Sequence, residues 1–387
     1  MRYIILILSL FLKKKNVEIN LKANSKILII KLDEIGDFVL AIPFIKEIKA
    51  LYPSASIDLF AKENVRDLAN YIPYLSNRYY LKNNLFSKGG IQKIFLFLYA
   101  IIYSLLKFKK QKYDLVIVPR WDVDSSLSVL FSFFSSAKYR LSYSEKVIDR
   151  KEKFNRNYDK FYTNLVFNND KKHEIERYID ILKYLGVYNP NYQLEILIRE
   201  IDKLFIEDET KIFDKNKIIA ICPVASQSRK KWQIENYSTL SKKVIDAFDY
   251  NIVIIGGNDG RQIDDFSELQ NNYGRKVIDF RGKLTLTQTA ALLEKCSIYI
   301  GNDTGPMHLA AAVKTPIIEI VAHPETIDFF HTQSPERFKP WGVKSIVLYP
   351  KLTKKPCPTQ MCISKESHCI NNVSVEMVFE KISKLIK

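Results

Sequence analysis

Short apolar runs alternate along this chain with segments whose apolar residues recur every three or four positions. Residues 27–32 form an apolar run broken only by Lys31, the mark of a strand buried on both faces of a parallel sheet. A polar loop, 33–36, leads into a helix-period segment that reaches residue 51, with Val39, Ile42, Ile45 and Ile48 at three-residue steps and Pro53 closing it. Residues 56–61 and 115–118 read as further strands. The alternation restarts in the second half, with strands at 218–222, 252–255, 297–300 and 316–321 and helices at 232–248, 285–295, 306–313 and 375–386. Strand and helix alternating twice over predict an α/β protein of two doubly wound domains. The expected divisions are an apolar and basic tail (1–25), a first Rossmann-like domain (26–200), a second (210–350), and a cysteine-containing segment with the last helix (351–387). The polar stretch 188–216, with Pro190, suits a linker, and the last helix could return to the first domain.

Ligands of such domains sit at the carboxyl ends of the strands, so the strand-to-helix loops carry the candidate chemistry. Glycine is scarce, at 12 in 387 residues, yet Gly36, Gly256, Gly257, Gly260, Gly301 and Gly305 all fall in three such loops. In Gly-Asn-Asp-Thr-Gly-Pro-Met-His (301–308), Pro306 suits the first helical turn, which leaves backbone N–H groups for an anion and places His308 beside it. The same loop reads equally as a helix capped by Asp303 or Thr304 with a structural histidine. The loop 222–232 offers Ser226 and Ser228 and then three adjacent cations, Arg229, Lys230 and Lys231; its plain reading is a solvated basic turn. The loop 31–37 brings Asp33, Glu34 and Asp37 together, either as a helix cap or as acids that raise the pKa of Asp37 by gathering around it.

Bulk numbers narrow the partners. With 47% hydrophobic and 26% charged residues the chain is globular, and 59 Lys and Arg against 43 Asp and Glu give a net charge of +16 that calls for an anionic partner. The basic residues are scattered, and no zinc-finger or RNA-binding signature is present, so nucleic acid is not expected. Two apolar stretches, 3–12 and 94–106, are each followed by lysines and are each shorter than the roughly 20 residues a membrane span needs. The first lacks the cleavage site of a signal peptide. The second reads either as a core or surface helix or as an in-plane helix at an anionic membrane.

The segment 27–53 with its Leu-Asp-x-Ile-Gly-Asp, together with Lys230-Lys231-Trp232, Gly282-Lys-Leu-Thr-Leu and Gly301 to His308 followed by three alanines, resembles glycosyltransferase family 9, the bacterial heptosyltransferases. These blocks span most of residues 26–380. The resemblance implies a GT-B fold, two Rossmann-like domains facing a cleft, and metal-independent inverting transfer of heptose or a related sugar. The donor would be a nucleotide-diphosphate sugar, and the acceptor a glycolipid such as lipopolysaccharide core or O-antigen. It makes Asp37 the general base and Lys230 a phosphate ligand, and it assigns Asp303, Thr304, Gly305 and His308 to the donor, with Ser226 and Gly257 beside them. No cofactor is implied. The expected location is the cytoplasm, at the inner face of the cell membrane.

Departures from the family pattern bear on the sugar. Where heptosyltransferases usually carry a Gly-Pro-Thr-Asp-Pro turn, this chain has Ala322-His-Pro-Glu-Thr326, and the region of Asp259 lacks their acidic run. Arg120, Asp122 and Asp124 follow a first-domain strand and are read as acceptor contacts or as a capped turn. Cys357, Cys362 and Cys369 offer a structural zinc site, although their spacing lacks a Cys-x2-Cys pair; Cys222 and Cys296 read as buried thiols. Two rival functions remain: a nucleotide-sugar epimerase or hydrolase on the same fold, and a non-catalytic membrane-associated protein.

Overall fold

A computed structural model describes residues 9–10, 12, 17–82, 90–214, 217–257, 266–351 and 368–386, with the side chains of 90–93 outside that set. The chain divides into two compact units, Met1–Tyr192 and Gln193–Lys387. The first holds a six-stranded sheet of β1 (Lys26–Lys31), β2 (Ser56–Lys62), β3 (Asn77–Leu81), β4 (Leu115–Val118), β5 (Tyr139–Tyr143) and β6 (Asn164–Val166), in the order β3-β2-β1-β4-β5-β6. The second holds β7 (Ile218–Cys222), β8 (Asn251–Ile254), β9 (Val277–Asp279), β10 (Ile298–Asn302), β11 (Ile317–Ile320) and β12 (Ser345–Leu348), in the order β12-β11-β10-β7-β8-β9. Read from its other edge, the second sheet repeats the first. All pairings are parallel, as apolar runs buried on both faces require.

In each sheet the winding reverses beside its first strand, between β1 and β4 and between β7 and β10. Those two points are where a doubly wound sheet opens a crevice for a ligand. The helices that start there are α1 (Ile35–Leu51) in the first unit and, in the second, α8 (Gly305–Ala312). Between them along the chain lie α2 (Gly90–Tyr103), α3 (Ser128–Phe134), α4 (Glu174–Tyr184), α5 (Glu200–Glu209), α6 (Ile234–Phe248) and α7 (Leu286–Glu294), and α9 (Val375–Leu385) comes last.

Several expectations change. The stretch 188–216, expected as a linker, contains α5, which buries Ile206 and packs on α7; its polarity is that of a helix wet on one side. The last helix, α9, joins the second unit's own core through Val378 and Ile382 and stacks Phe379 on Phe248 of α6. Strands β3, β5 and β6 escape a search for apolar runs because polar residues interrupt them. In β5, Tyr139, Leu141 and Tyr143 are buried while Ser142 donates to the Val118 carbonyl at 2.9 Å. The 94–106 stretch is helical and packs Leu96, Phe97 and Ala100 into the first unit's core around Phe60 and Phe131. Among the described residues no helix is long and apolar enough to cross a membrane. The tail segment 3–8, Lys13, Lys14, Lys15, Asp259 and Gly260 lie outside the described residues.

Candidate active site

At the switch point of the second unit, β10 ends in Asn302 and α8 begins at Gly305. Asn302 is fully buried; it donates to the Ile320 carbonyl at 3.1 Å and accepts from the Tyr237 hydroxyl at 3.2 Å, which fixes the loop's exit from the sheet. Gly301 is obligatory: a Cβ there would lie 2.4 Å from the Tyr299 hydroxyl. Thr304 stands at the cap position of α8 without a side-chain cap bond, Pro306 lies in the first turn, and Asp303 turns away to Lys230 at 2.7 Å. The side-chain cap that this loop might have been is therefore not made, and the positive end of the helix is left to another group.

Lys230 ends a short 3-10 turn, Ser228–Lys230, after β7. Burial works to raise the Asp303 pKa, but the Lys230 charge and hydrogen bond outweigh it and hold the carboxyl below its ordinary value. His308 is 3% exposed and its Nδ1 meets no partner. Burial pushes its pKa down to about 4, against the pull of Asp303, so the ring is neutral at pH 7. Ser226 is exposed, and a Cβ at Gly257 would meet open space.

Beside this loop a hollow of about 230 Å³ is lined by Lys230, Asp303, Val321, Ala322, His323 and Gln333. The departing turn thus supplies part of the wall. Gln333 donates through Nε2 to Gln227 Oε1 at 2.7 Å, so its own Oε1 accepts from His323 Nε2 at 3.1 Å. That assignment leaves His323 Nδ1 as a lone-pair acceptor, and it is buried without a partner. Glu319, on β11 directly opposite Gly301, is fully buried, and neither carboxyl oxygen meets a partner. Burial, with Asp303 adding to it, pushes its pKa well above the carboxylate range, so Glu319 is a neutral acid. Sequence reasoning passed over it, although a lone glutamate within the apolar run 316–321 was a readable signal.

The first unit's switch point is finished differently. Glu34 occupies the cap position of α1, and Asp37 falls in the first turn behind it, its carbonyl accepting from the Tyr178 hydroxyl at 3.3 Å. Asp33 and Glu34, beside Asp37 in sequence, are each held by cations. Buried Asp33 pairs with Lys31 at 2.6 Å and with Arg120, while Glu34 pairs with Lys62 and accepts from Asn64 at 3.2 Å. Arg120 also donates from Nε to the Val123 carbonyl at 2.8 Å, and Asp122 forms a two-pronged pair with Arg150. Asp124 is buried and accepts from the backbone N–H groups of Ser126, Ser128 and Val129 at 2.9–3.2 Å, so it caps the entrance to α3. Arg120 and Asp124 line a second hollow, of about 240 Å³, with Glu145, Lys151 and Asp159. Lys151 donates to the carbonyls of Arg120 and Tyr143 at 2.9 and 3.1 Å, and burial pushes its pKa down to about 8.

Cys357 and Cys362 lie outside the described residues. Cys369 is buried with its sulfur 2.9 Å from His368 Nδ1, and Cys222 and Cys296 are buried thiols whose pKa values burial raises. Among the described residues no three His, Cys, Asp or Glu side chains gather as a metal site.

A helix start with an unfilled cap, beside a lysine at a switch point, is a geometry that suits an anion such as a phosphate. The chain belongs to glycosyltransferase family 9 (heptosyltransferase), whose pattern matches residues 104–368. It is 24% identical over 367 residues to lipopolysaccharide heptosyltransferase 3 of Escherichia coli strain K12, covering 91% of this chain and 95% of that protein. Its fold resembles the glycosyl transferase family 9 structure from Veillonella parvula DSM 2008 (TM-score 0.71, 20% identity, 96% of this chain and 99% of that one). It also resembles E. coli heptosyltransferase WaaC with ADP-2-deoxy-2-fluoro heptose (TM-score 0.64, 16% identity, 93% and 99%). The fold is thus of the GT-B type, and the protein is a glycosyltransferase.

Proposed function

We propose that the protein transfers heptose or a related sugar from a nucleotide-diphosphate donor, with ADP as its nucleotide, to a glycolipid acceptor of the lipopolysaccharide core or O-antigen. The observation that carries this reading is the Lys230–Asp303 pair beside the uncapped start of α8. The donor's diphosphate would take Lys230 and the N–H groups at Thr304 and Gly305, with His308, Ser226 and Gly257 around it. Asp37 would remove the proton from the acceptor hydroxyl as that oxygen attacks the anomeric carbon. The C–O bond to the diphosphate breaks on the opposite side, which inverts the configuration. Lys230 and the helix start stabilise the departing negative charge, so the reading needs no metal.

Asp37 sits in the first turn of a helix, where the dipole favours the carboxylate and weakens it as a base. Asp33 and Glu34 are neutralised by their own partners, so exclusion of water by the bound acceptor is what must restore basicity. On the acceptor side, Asp124 is committed to its cap, which leaves Asp122 and Arg120 as the nearer candidates for sugar hydroxyls. A glycolipid acceptor also puts the reaction at the cytoplasmic face of an anionic membrane.

Calorimetry with ADP-, GDP-, UDP- and CMP-sugars tests the donor: ADP-sugars should bind, and silence from every donor would end the transferase reading. Asp37→Asn should keep donor affinity and lose at least about 100-fold in transfer. Loss of the donor's sugar without any acceptor would instead favour an epimerase or hydrolase.

A further inference from the structure

One face of the first unit is not used by this chemistry. Helix α2 and the wide turn that follows it, Ser104–Phe108, present two apolar surfaces. Leu96, Phe97, Ala100 and Phe108 are buried in the core, and Phe108 closes edge-on against Phe60. Ile94, Phe95, Leu98, Ile102, Leu105 and Leu106 are instead 39–60% exposed. At about 100° per residue these six fall within one arc of about 120°, opposite the buried set. Single exposed apolar residues are ordinary, but six in one stripe are not.

The charges around the stripe are of one sign. Lys107, Lys109, Lys110 and Lys112 follow it, all exposed, and no carboxylate occurs between residues 90 and 113. Lys112, in the left-handed region at φ 55°, ends the turn. Leu12 packs on the same core cluster, and Leu10 is 68% exposed. In the second unit, α5 also exposes Ile201, Leu204 and Phe205, but Glu200, Glu207, Asp208 and Glu209 surround them. An anionic surface would attract the first stripe and repel the second.

We propose that this face of α2 is a docking surface for an anionic phospholipid bilayer, with the six apolar side chains entering the interface and the lysines meeting the headgroup phosphates. The helix is too short and too firmly held by its buried face to cross, so it lies in the plane. The inference goes beyond the proposed transfer and explains how the enzyme would meet a lipid-borne acceptor, yet its test requires no turnover.

The test is co-sedimentation of the full chain with vesicles of phosphatidylcholine, with and without about 30% phosphatidylglycerol, at low and high salt. The wild type should partition at least about ten-fold more strongly onto the anionic vesicles, and salt should release it. Replacing Leu98, Ile102 and Leu106 together by Ser should weaken partitioning at least ten-fold, on the order expected for three lost apolar anchors. Replacing Lys107, Lys109 and Lys110 together by Gln should weaken it about 100-fold, at about five-fold per charge. Ile201→Ser with Leu204→Ser is the control and should bind as the wild type does. Unchanged thermal midpoints establish that the variants fold.

Equal binding of the wild type to both vesicle types, or vesicle binding by the Leu98, Ile102 and Leu106 variant as strong as the wild type's, would overturn the proposal. So would sedimentation velocity showing a dimer that this variant dissolves while vesicle binding stays intact, since the face would then belong to a second copy. ADP titrated into the same variants separates the two readings. Vesicle binding without ADP binding defeats the transferase and leaves the docking face standing, and the reverse defeats the docking face alone.

Discussion

The two units share one strand order and place a loop at each switch point, yet they finish those loops in opposite ways. In the first, Asp33 pairs with Lys31 and Arg120, Glu34 with Lys62 and Asp122 with Arg150, and Asp124 is filled by backbone N–H groups. In the second, the Lys230–Asp303 pair stands among buried polar atoms that have no partner: Nδ1 of His308, Nδ1 of His323 and both carboxyl oxygens of Glu319. A buried polar atom without a partner costs about 1–3 kcal/mol. The acids of the first switch point are thus held by partners, whereas the second keeps a cluster of unsatisfied polar atoms around its one ion pair. Topology locates both crevices; the pairing of charges tells them apart.

Exchanging equivalent cations breaks this contrast most directly. Lys230→Met should weaken ADP binding by at least about 30-fold, the effect of truncating one partner of a desolvated charge pair. Arg120→Met should leave ADP affinity unchanged and cost about 3 kcal/mol of stability, because buried Asp33 keeps Lys31 as its remaining cation. Calorimetry and urea unfolding on both variants check the pair. If Lys230→Met changed stability alone, the Lys230–Asp303 pair would be as structural as the Arg120–Asp33 pair.

Glu319 gives the next largest effect. Replacing it by Leu removes a buried acid with no hydrogen bond and should raise stability by about 1–3 kcal/mol at pH 7.5. A loss of stability there would mean that the carboxyl has a partner that matters. Asp124→Ala should do the opposite in the first unit, costing about 1–2 kcal/mol through the lost cap of α3. Its effect should appear in urea unfolding and leave ADP affinity as it was.

How much of this was legible beforehand follows from what each residue does. Strands such as β4 and β7 could be read from uninterrupted apolar runs because both faces of a parallel strand are buried. Helix α5 was lost in a linker because only one side of it is dry. The glycine-rich loop ahead of α8 was readable as a helix start, and its choice between cap and anion site was not, since that depends on Asp303 turning to Lys230, 73 positions away. The pairing of Asp33 with Arg120 escaped for the same reason, because partners distant in sequence have no periodicity. Glu319 was different: its signal was local, a carboxylate in an apolar run, and it simply went unused.

The smallest effect is a change of slope, because two groups within the second unit pull stability in opposite directions with pH. His308 has its pKa lowered to about 4 from an ordinary 6.5. As pH falls below 6.5 the unfolded chain takes up a proton that the folded ring refuses, so this residue makes stability decline toward pH 4. Glu319 has its pKa raised well above an ordinary 4.5. As pH rises past 4.5 the unfolded chain releases a proton that the folded carboxyl keeps, so this residue makes stability decline in the other direction. Above pH 4.5 and below 6.5 the two act with opposite signs, each offsetting the other's slope. Unfolding followed by Trp232, with Trp121 and Trp341 changed to Phe, reads the unit that holds both groups. Glu319→Leu should then expose a stability that climbs with pH across this window, and His308→Gln one that falls, each relative to the unaltered chain. Parallel curves for the two variants would mean that the groups are not in the protonation states their burial dictates, and the contrast between the two switch points would lose its electrostatic basis.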